Sequence, residues 1–560
     1  MKSMLILCFL LINPATALTD TIFVPDDFAT IQDAIDASAK GDTVIVRPGT
    51  YVENIDFIGK EIVLKSEKGP AVTTIDGNQS GSVVNFENWE GPDAVIDGFT
   101  ITNGVGVIDG FGGGIRCLWS APVIAHNWIV ANEAGHGAGI SCWAASPVIH
   151  DNRILQNIQI GTPSSAGGGI AILNYSNPTI SENEITQNQA INGGGISCGW
   201  CSRPLIEGNT IFDNSAYSSG GGISIVSSDS EVRQNRIIGN TTSLGKGGGL
   251  YCDRADSIVV DNEIIGNECS DGGGGIYFSE GELILTNNMI ADNQTNFGTS
   301  ALFGAESTIL MVNNTFAQNV SAWSDYGVAL GGCPNVEIHN TIFWSNAGPN
   351  GFEIALSSST TNDTRLAIWN SIVEGGQNGI EVHGGSSFYA SGIIDADPLF
   401  ADRAAGDFHI RADSPARDQG NIGASGLPWN DFEGDPRVPA ATVDIGADEF
   451  HTHLYALGEV IPGNSIVVKV VGAPGAAPVR ILAGTGVRID PLYTMYGDFY
   501  LEGPLNVFTF GPIPPEGIFT HTATVPVSWA SGDAHPFQAL VGTWGNPGTE
   551  LSNLMVLSAD

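Results

Sequence analysis

Apolar and polar positions along this chain alternate in short runs, and the runs recur on a beat of about 26 residues. The unit reads G-G-G-I-x-C/I, a short turn, P-x-I, x-N-x-I and x-x-N. Its first asparagine gives the series Asn127, Asn152, Asn183, Asn209, Asn235, Asn262, Asn288, Asn314 and Asn340. A second asparagine follows five residues later in most units, from Asn132 and Asn157 to Asn293 and Asn319. The glycine track keeps the same beat, ending at Ile115, Ile140, Ile170, Ile196, Ile223, Leu250 and Ile276. Each unit therefore holds three runs too short for helices, and the glycine triplets would break a helix in any case. A parallel coil satisfies the pattern, because each strand then pairs with its equivalent one turn away, roughly 4.8 Å distant. Identical side chains stack in columns. Asparagine suits a turn column, since it tolerates the left-handed region and its amide can hydrogen-bond along the stack.

These residues resemble the right-handed β-helix proteins of the pectin-lyase-like superfamily, including their asparagine ladder, over about residues 22–450. The opening segment fits the resemblance. Pro25–Ser38 reads as a short amphipathic helix started by Thr30, followed by G-D-T-V-I-V-R-P-G-T-Y at 41–51 and I-D-G-N at 75–78, an arrangement that caps a first coil. D-P-L-F at 397–400, G-D-F-H-I at 406–410, D-S-P-A-R-D at 413–418 and V-D-I-G-A-D-E-F at 443–450 look like the closing segment of choice-of-anchor Q proteins, surface proteins with no shared reaction. The expected fold is all-β: a right-handed parallel β-helix solenoid followed by a small β-sandwich-like domain. Its parts are a signal peptide at 1–17, a cap and first coils at 20–95, coils at 96–390, a closing segment at 391–450 and a C-terminal β domain at 451–560. In the last of these, Ser465–Val471, Val479–Ala483 and Ala523–Val527 alternate as strands do.

A leader peptide is expected from Lys2, the apolar run Met4–Ile12 and the small-residue site Ala15-Thr16-Ala17. It predicts export to the extracellular space, cell surface or periplasm. No later apolar run has the length of a membrane span. Sixty acidic against 21 basic residues give a formal charge of −39, which opposes nucleic acid and anionic membrane surfaces through long-range repulsion. The same charge keeps a strand-rich monomer from aggregating.

The resemblance implies that any active site lies on the exposed face of the first parallel sheet, the strand after the glycine track. Alternation sends Arg116, Ser141, Ala171, Ser197, Ser224, Tyr251 and Tyr277 outward, then Leu118, Trp143, Leu173, Gly199, Val226, Asp253 and Ser279. Neither column gathers the facing carboxylates of a glycoside hydrolase, or the base and cations of a lyase. Gly135-His136-Gly137 is similar to the G-H-G of polygalacturonases, but the partner motifs are missing at matching coils, which favours a turn with an exposed histidine. Trp119, Trp143, Trp200, Tyr251 and Tyr277 fall in or just after that strand. They offer rings for stacking on sugar faces, with Asp253 or Glu280 accepting hydroxyl bonds; the plainer alternative is that the rings cover turn backbone.

Cys117, Cys142, Cys198 and Cys252 share an inward column with Ile172, Ile225 and Phe278, an interchange that marks small buried apolar side chains. Cys117 and Cys142 are close enough in register to pair. Cys198-Gly-Trp-Cys201 is a lone C-x-x-C and gives no metal site by itself. No cofactor is expected; Asp418, Asp431, Glu433, Asp435 and Asp444 could hold a structural Ca²⁺, or serve as turn formers around Arg437. The leading reading is a secreted surface protein, a non-catalytic glycan-binding or structural module whose partner is a polysaccharide or cell-surface component. The alternative is a polysaccharide lyase or glycoside hydrolase.

Overall fold

A computed structural model describes residues 19–450 apart from 107–109, 163–165, 324–325, 347–350, 412, 436 and 438–441, with the backbone of strands between 453 and 558. The leader expected at 1–17 lies outside the described residues. The chain divides into two compact units, residues 1–184 and 185–560.

In the first unit the strand Thr21–Val24 is followed by the helix Ile31–Ala37, whose N-cap Thr30 accepts the Asp33 N–H. The Glu53 carboxylate adds bonds to the Ile31 and Gln32 N–H groups, an anion on the helix start. Ile31, Ala34 and Ile35 are buried, so the helix closes the apolar interior. Parallel strands then wind in four sheets, the fourth made in this unit by the short strands Glu133–Ala134 and Ile158–Gln159. The first sheet holds Ile55–Asp56, Val84–Phe86, Ile115–Leu118, Ile140–Trp143 and Ile170–Leu173. The second runs from Thr21–Val24 to Thr179–Ser181, and the third includes Trp128–Val130 and Arg153–Leu155. Inward side chains meet like on like: Ile115 pairs with Ile140, and Cys117 with Cys142.

The second unit repeats the arrangement. Its first sheet runs through Ile196–Gly199, Ile223–Val226, Leu250–Asp253, Ile276–Ser279, Leu302–Ala305, Tyr326–Gly331, Phe352–Ser357 and Ile380–Val382. Beyond the coils, antiparallel strands follow. Two of them, Ser465–Val471 and Pro478–Ala483, fall where alternation places them; the third is Ile518–Thr524, earlier than the expected 523–527.

Buried asparagines run up both units. Asn240 shows the pattern: its backbone N–H and its Nδ2 both donate to Asn267 Oδ1 at 3.0 Å, and Nδ2 also donates to the Ile211 carbonyl at 2.8 Å. Its own Oδ1 accepts from the N–H and Nδ2 of Asn214, both at 3.0 Å. The ladder residues are not themselves left-handed. That conformation falls on the residue before each of them, such as His126, Asp151, Gln234, Asp261 and Gly239. The amide's reach along the stack is therefore what selects asparagine here, not its tolerance of positive φ.

This offset corrects one position. Asn340 is itself the left-handed corner, and Thr341 stands on the ladder, its Oγ1 accepting the Asn314 N–H at 3.4 Å. Asn340 belongs to a different column. Asn287, Asn313, Asn340 and Asn370 all have positive φ, and their amides face the closing segment. Asn287 Nδ2 donates to the Asn430 carbonyl, Asn313 Nδ2 to those of Asp444 and Gly446, Asn340 Nδ2 to that of Asn421 and Asn370 Nδ2 to that of Gln419. The closing segment lies along the outside of the third sheet, where Phe408, Ile410, Ile445, Ala447 and Phe450 pack with Met289, Ala317, Ile342 and Ile372. Arg437, fully buried, donates to Asn287 Oδ1 at 2.8 Å and to the Ala447 carbonyl.

Replacing Asn240 with alanine strands the Asn214 backbone N–H and frees the Ile211 carbonyl inside the unit, while the Asn214 side-chain amide keeps the Ile185 and Phe212 carbonyls. At roughly 1–3 kcal/mol per stranded buried group, the expected loss is about 2–4 kcal/mol, measured as a lower urea midpoint with unchanged slope.

Candidate functional site

The register confirms both outward columns within each unit and lengthens the first. In the first unit it runs Asp56, Asn85, Arg116, Ser141 and Ala171. Asp56 and Asn85 escaped the sequence reading because their coils precede the glycine track that set the register. In the second unit Ser197, Ser224, Tyr251 and Tyr277 continue into Phe303 and Ala329.

The column is not the open row that alternation alone suggested. Ser141, Ala171 and Ser224 are buried although they point away from the core. The first glycine of each track folds the incoming backbone against them. Gly247, at φ +65°, has room for no side chain: a Cβ there would sit 2.6 Å from the Leu250 carbonyl oxygen and 2.8 Å from Tyr251 Cβ. Glycine thus makes the corner and also lets backbone cover the sheet.

An opening remains in the first unit. Phe111, Arg116, Trp119, Ser141 and Trp143 help line a hollow of about 500 Å³. Trp143 meets Phe111 edge-on, centroids 4.8 Å apart, and Phe111 stacks on His136 at 4.8 Å. Trp119 stacks with Trp89 at 6.0 Å and 14°, and both rings face solvent, 46% and 74% exposed. Trp119 occupies the left-handed corner after its strand, at φ +55°, where other coils have Ser227, Arg254 or Glu280. Corner geometry lifts the ring clear of the sheet. Buried Glu90 fixes the corner, accepting the Gly59 and Asn88 N–H groups at 2.8 and 2.9 Å and the Ser120 hydroxyl at 2.7 Å.

Polar groups face the same hollow. The Arg116 guanidinium pairs with Glu87 at 3.3 Å. Ser141 Oγ lines the hollow, and it and His136 Nδ1 are buried without a hydrogen-bond partner. Burial holds the His136 imidazole below its usual range, so the ring is neutral at pH 7. His136 is thus half-buried against Phe111, not the exposed turn residue that the G-H-G reading favoured.

The remaining predicted residues lie in the second unit. Tyr251, Tyr277 and Phe303 stack at 5.0 and 5.1 Å, nearly parallel. Tyr277 is only 8% exposed, with the Lys246 ammonium 4.5 Å from its ring centre. It holds the stack together and offers no free face. Tyr251 is half-buried, and burial, then Asp253, drives its hydroxyl well above the usual phenol range. Asp253 accepts from the Ser279 hydroxyl and the Arg254 guanidinium, both at 2.8 Å. Trp200, half exposed, sits at a left-handed corner two coils before Tyr251, at φ +59°. The structure therefore groups Tyr251, Tyr277 and Asp253, and sets Trp143 among rings of the first unit. Sequence reasoning missed Trp89 and Phe111, which lie outside the strand positions that were aligned.

Among the described residues the cysteines are free thiols, buried except Cys201. Burial pushes Cys198 and Cys252 up to about 12, so neither is a nucleophile at neutral pH. Two of the five acids named for Ca²⁺ already accept backbone N–H groups. Asp431 accepts the N–H groups of Glu433, Asp435 and Glu449, and Asp444 those of Asp418 and Phe450.

Comparison with known proteins agrees with the architecture. The family described as "Right handed beta helix region" matches residues 162–271 and 240–392. Its fold is a right-handed parallel β-helix. No curated protein matches its sequence. Among solved structures, pectate lyase Pel9A is 13% identical with a TM-score of 0.35, over 77% of this chain and 96% of that one. A mannuronic acid specific polysaccharide family 6 lyase from human gut microbiota is 14% identical with a TM-score of 0.35, over 67% and 83%. Likenesses of this size carry no argument about chemistry.

Among the described residues, no helix is long and apolar enough to cross a membrane. Tyr277→Ala is expected to cost about 3 kcal/mol of stability, the usual price of emptying a buried aromatic site, seen as an earlier denaturant midpoint.

Proposed function

We propose that this protein is exported and binds an extracellular polysaccharide on the outer face of the first sheet, between Asp56 and Trp143. One observation carries the reading: an indole pair, Trp89 and Trp119, lies open to solvent beside a ring-walled hollow that also holds Arg116 and an unpartnered Ser141 hydroxyl. Sugar rings present apolar C–H faces and a rim of hydroxyls. Flat rings accept the former, and fixed polar groups at the edge accept the latter. Arg116 favours a glycan carrying carboxylate or sulfate at that place, although Glu87 offsets much of its charge. The site is local, so it works within a chain whose overall charge is strongly negative.

The test is retention on a panel of soluble and insoluble glycans, followed by calorimetry on those that bind. The double variant Trp119→Ala/Trp143→Ala is expected to lose at least tenfold in affinity, while Trp200→Ala/Tyr251→Ala changes it by less than threefold. The reverse order would move the surface to the second unit, and no retention on any glycan would sink the proposal.

A second reading is cleavage at the same place. A neutral, half-buried imidazole stacked on Phe111, a ring that lines the same hollow as Arg116, would supply the base and charge partner that a lyase requires. It predicts unsaturated sugar ends from a retained polymer, abolished by His136→Ala. Since the base form is the neutral one and its pKa is lowered, the rate should hold through pH 6.5 and fall only at lower pH. Absence of new ends from every retained polymer leaves binding alone.

A further inference from the structure

We propose that His409, Glu433 and Asp448, in the closing segment, form a site for a divalent transition metal of the zinc type. A donor atom from each of the three lies within 4.8 Å of the other two. His409 sits with Nδ1 2.6 Å from Asp407 Oδ1 and Nε2 3.1 Å from Glu433 Oε2. A carboxylate on Nδ1 holds the proton there and leaves the Nε2 lone pair for a metal, the usual support behind a ligating histidine.

Asp448 gives the independent sign. It is 2% exposed, and its Oδ2 accepts the Ile410 N–H at 2.8 Å. Its other oxygen, Oδ1, is buried with no hydrogen-bond partner. A buried carboxylate oxygen without a donor is costly unless a cation or proton meets it. Glu433 is exposed, so it can swing inward by the distance of about an ångström that ligands at roughly 2.0–2.2 Å from one ion require.

The donor set decides the metal. One imidazole nitrogen and two carboxylate oxygens, with water in a fourth place, match tetrahedral Zn²⁺. Ca²⁺ wants six to eight oxygens, which these three residues cannot supply. The ion would fasten three stretches of the closing segment: the strand Asp407–Ile410, the turn at Glu433 and the chain at Asp448. Ile410 and Phe450, on either side, already belong to the core formed with the coils. Metal uptake replaces the hydrogen bond between His409 and Glu433, so it releases a proton when the imidazole is charged.

The experiment titrates the full chain, stripped with a chelator and exchanged into metal-free buffer, with ZnCl₂ by calorimetry, with CaCl₂ as the contrast. One equivalent of Zn²⁺ is expected to bind at micromolar concentration or tighter and raise the melting temperature, with heat that varies with the buffer's own protonation heat. Co²⁺ in its place should give the visible absorption of a tetrahedral site. Glu433→Gln, an exposed change that leaves circular dichroism unaltered, should weaken Zn²⁺ at least tenfold, as should Asp448→Asn. No binding of Zn²⁺ to the unsubstituted chain overturns the proposal. So does binding that survives unchanged in both variants, which would place the metal on other histidines. Preference for Ca²⁺ over Zn²⁺ overturns the donor assignment.

Discussion

Everything in this protein depends on vertical pairing between equivalent residues of successive coils. Sheet hydrogen bonds run parallel to the axis at the strands, and at the corners, where a strand ladder would stop, buried asparagine amides take over. Each ladder amide satisfies a backbone N–H that has just left a strand and a carbonyl from the coil before. Without it, the two asparagine corners of each coil would bury polar backbone groups with no partner. Register is the result. A chain with such a ladder cannot slip by one residue without breaking every rung.

Much of this was legible in the sequence, because the constraint repeats. Gly247 and its equivalents are glycine for two reasons at once, left-handed φ and lack of room, so the triplet is visible in every coil that needs it. Cys117, Cys142 and Ile172 alternate freely in the core, which marks the inward side. What the repeat does not encode was harder to see. Asn340 looks like a rung by spacing, yet it stands one residue early, at the corner. A period cannot distinguish two adjacent columns when both are filled by asparagine. Asp56 and Asn85 were missed for the opposite reason, since their coils lack the marker that aligned the rest.

The aromatic residues show where side-chain type stops being informative. Tyr277 and Trp119 fall in or just beyond equivalent strands, but one is locked inside a stack and the other stands clear. The difference comes from the corner: a bulky residue in the left-handed position is pushed outward, while one within the strand is overlaid by the glycine-led backbone. Exposure here is set by the residues before and after the ring.

The closing segment adds a constraint of another kind. Its anchor points on Asn287, Asn313, Asn340 and Asn370 fall one to a coil, so the strap is matched to that number of turns and to no other. Solenoids lengthen by duplicating coils, and in the stretch between Asn209 and Asn262 an added turn would disturb only its neighbours. Beneath the strap an added turn would throw every later anchor out of step. The closing segment acts as a ruler, and growth of this molecule over generations is confined to the coils it does not span.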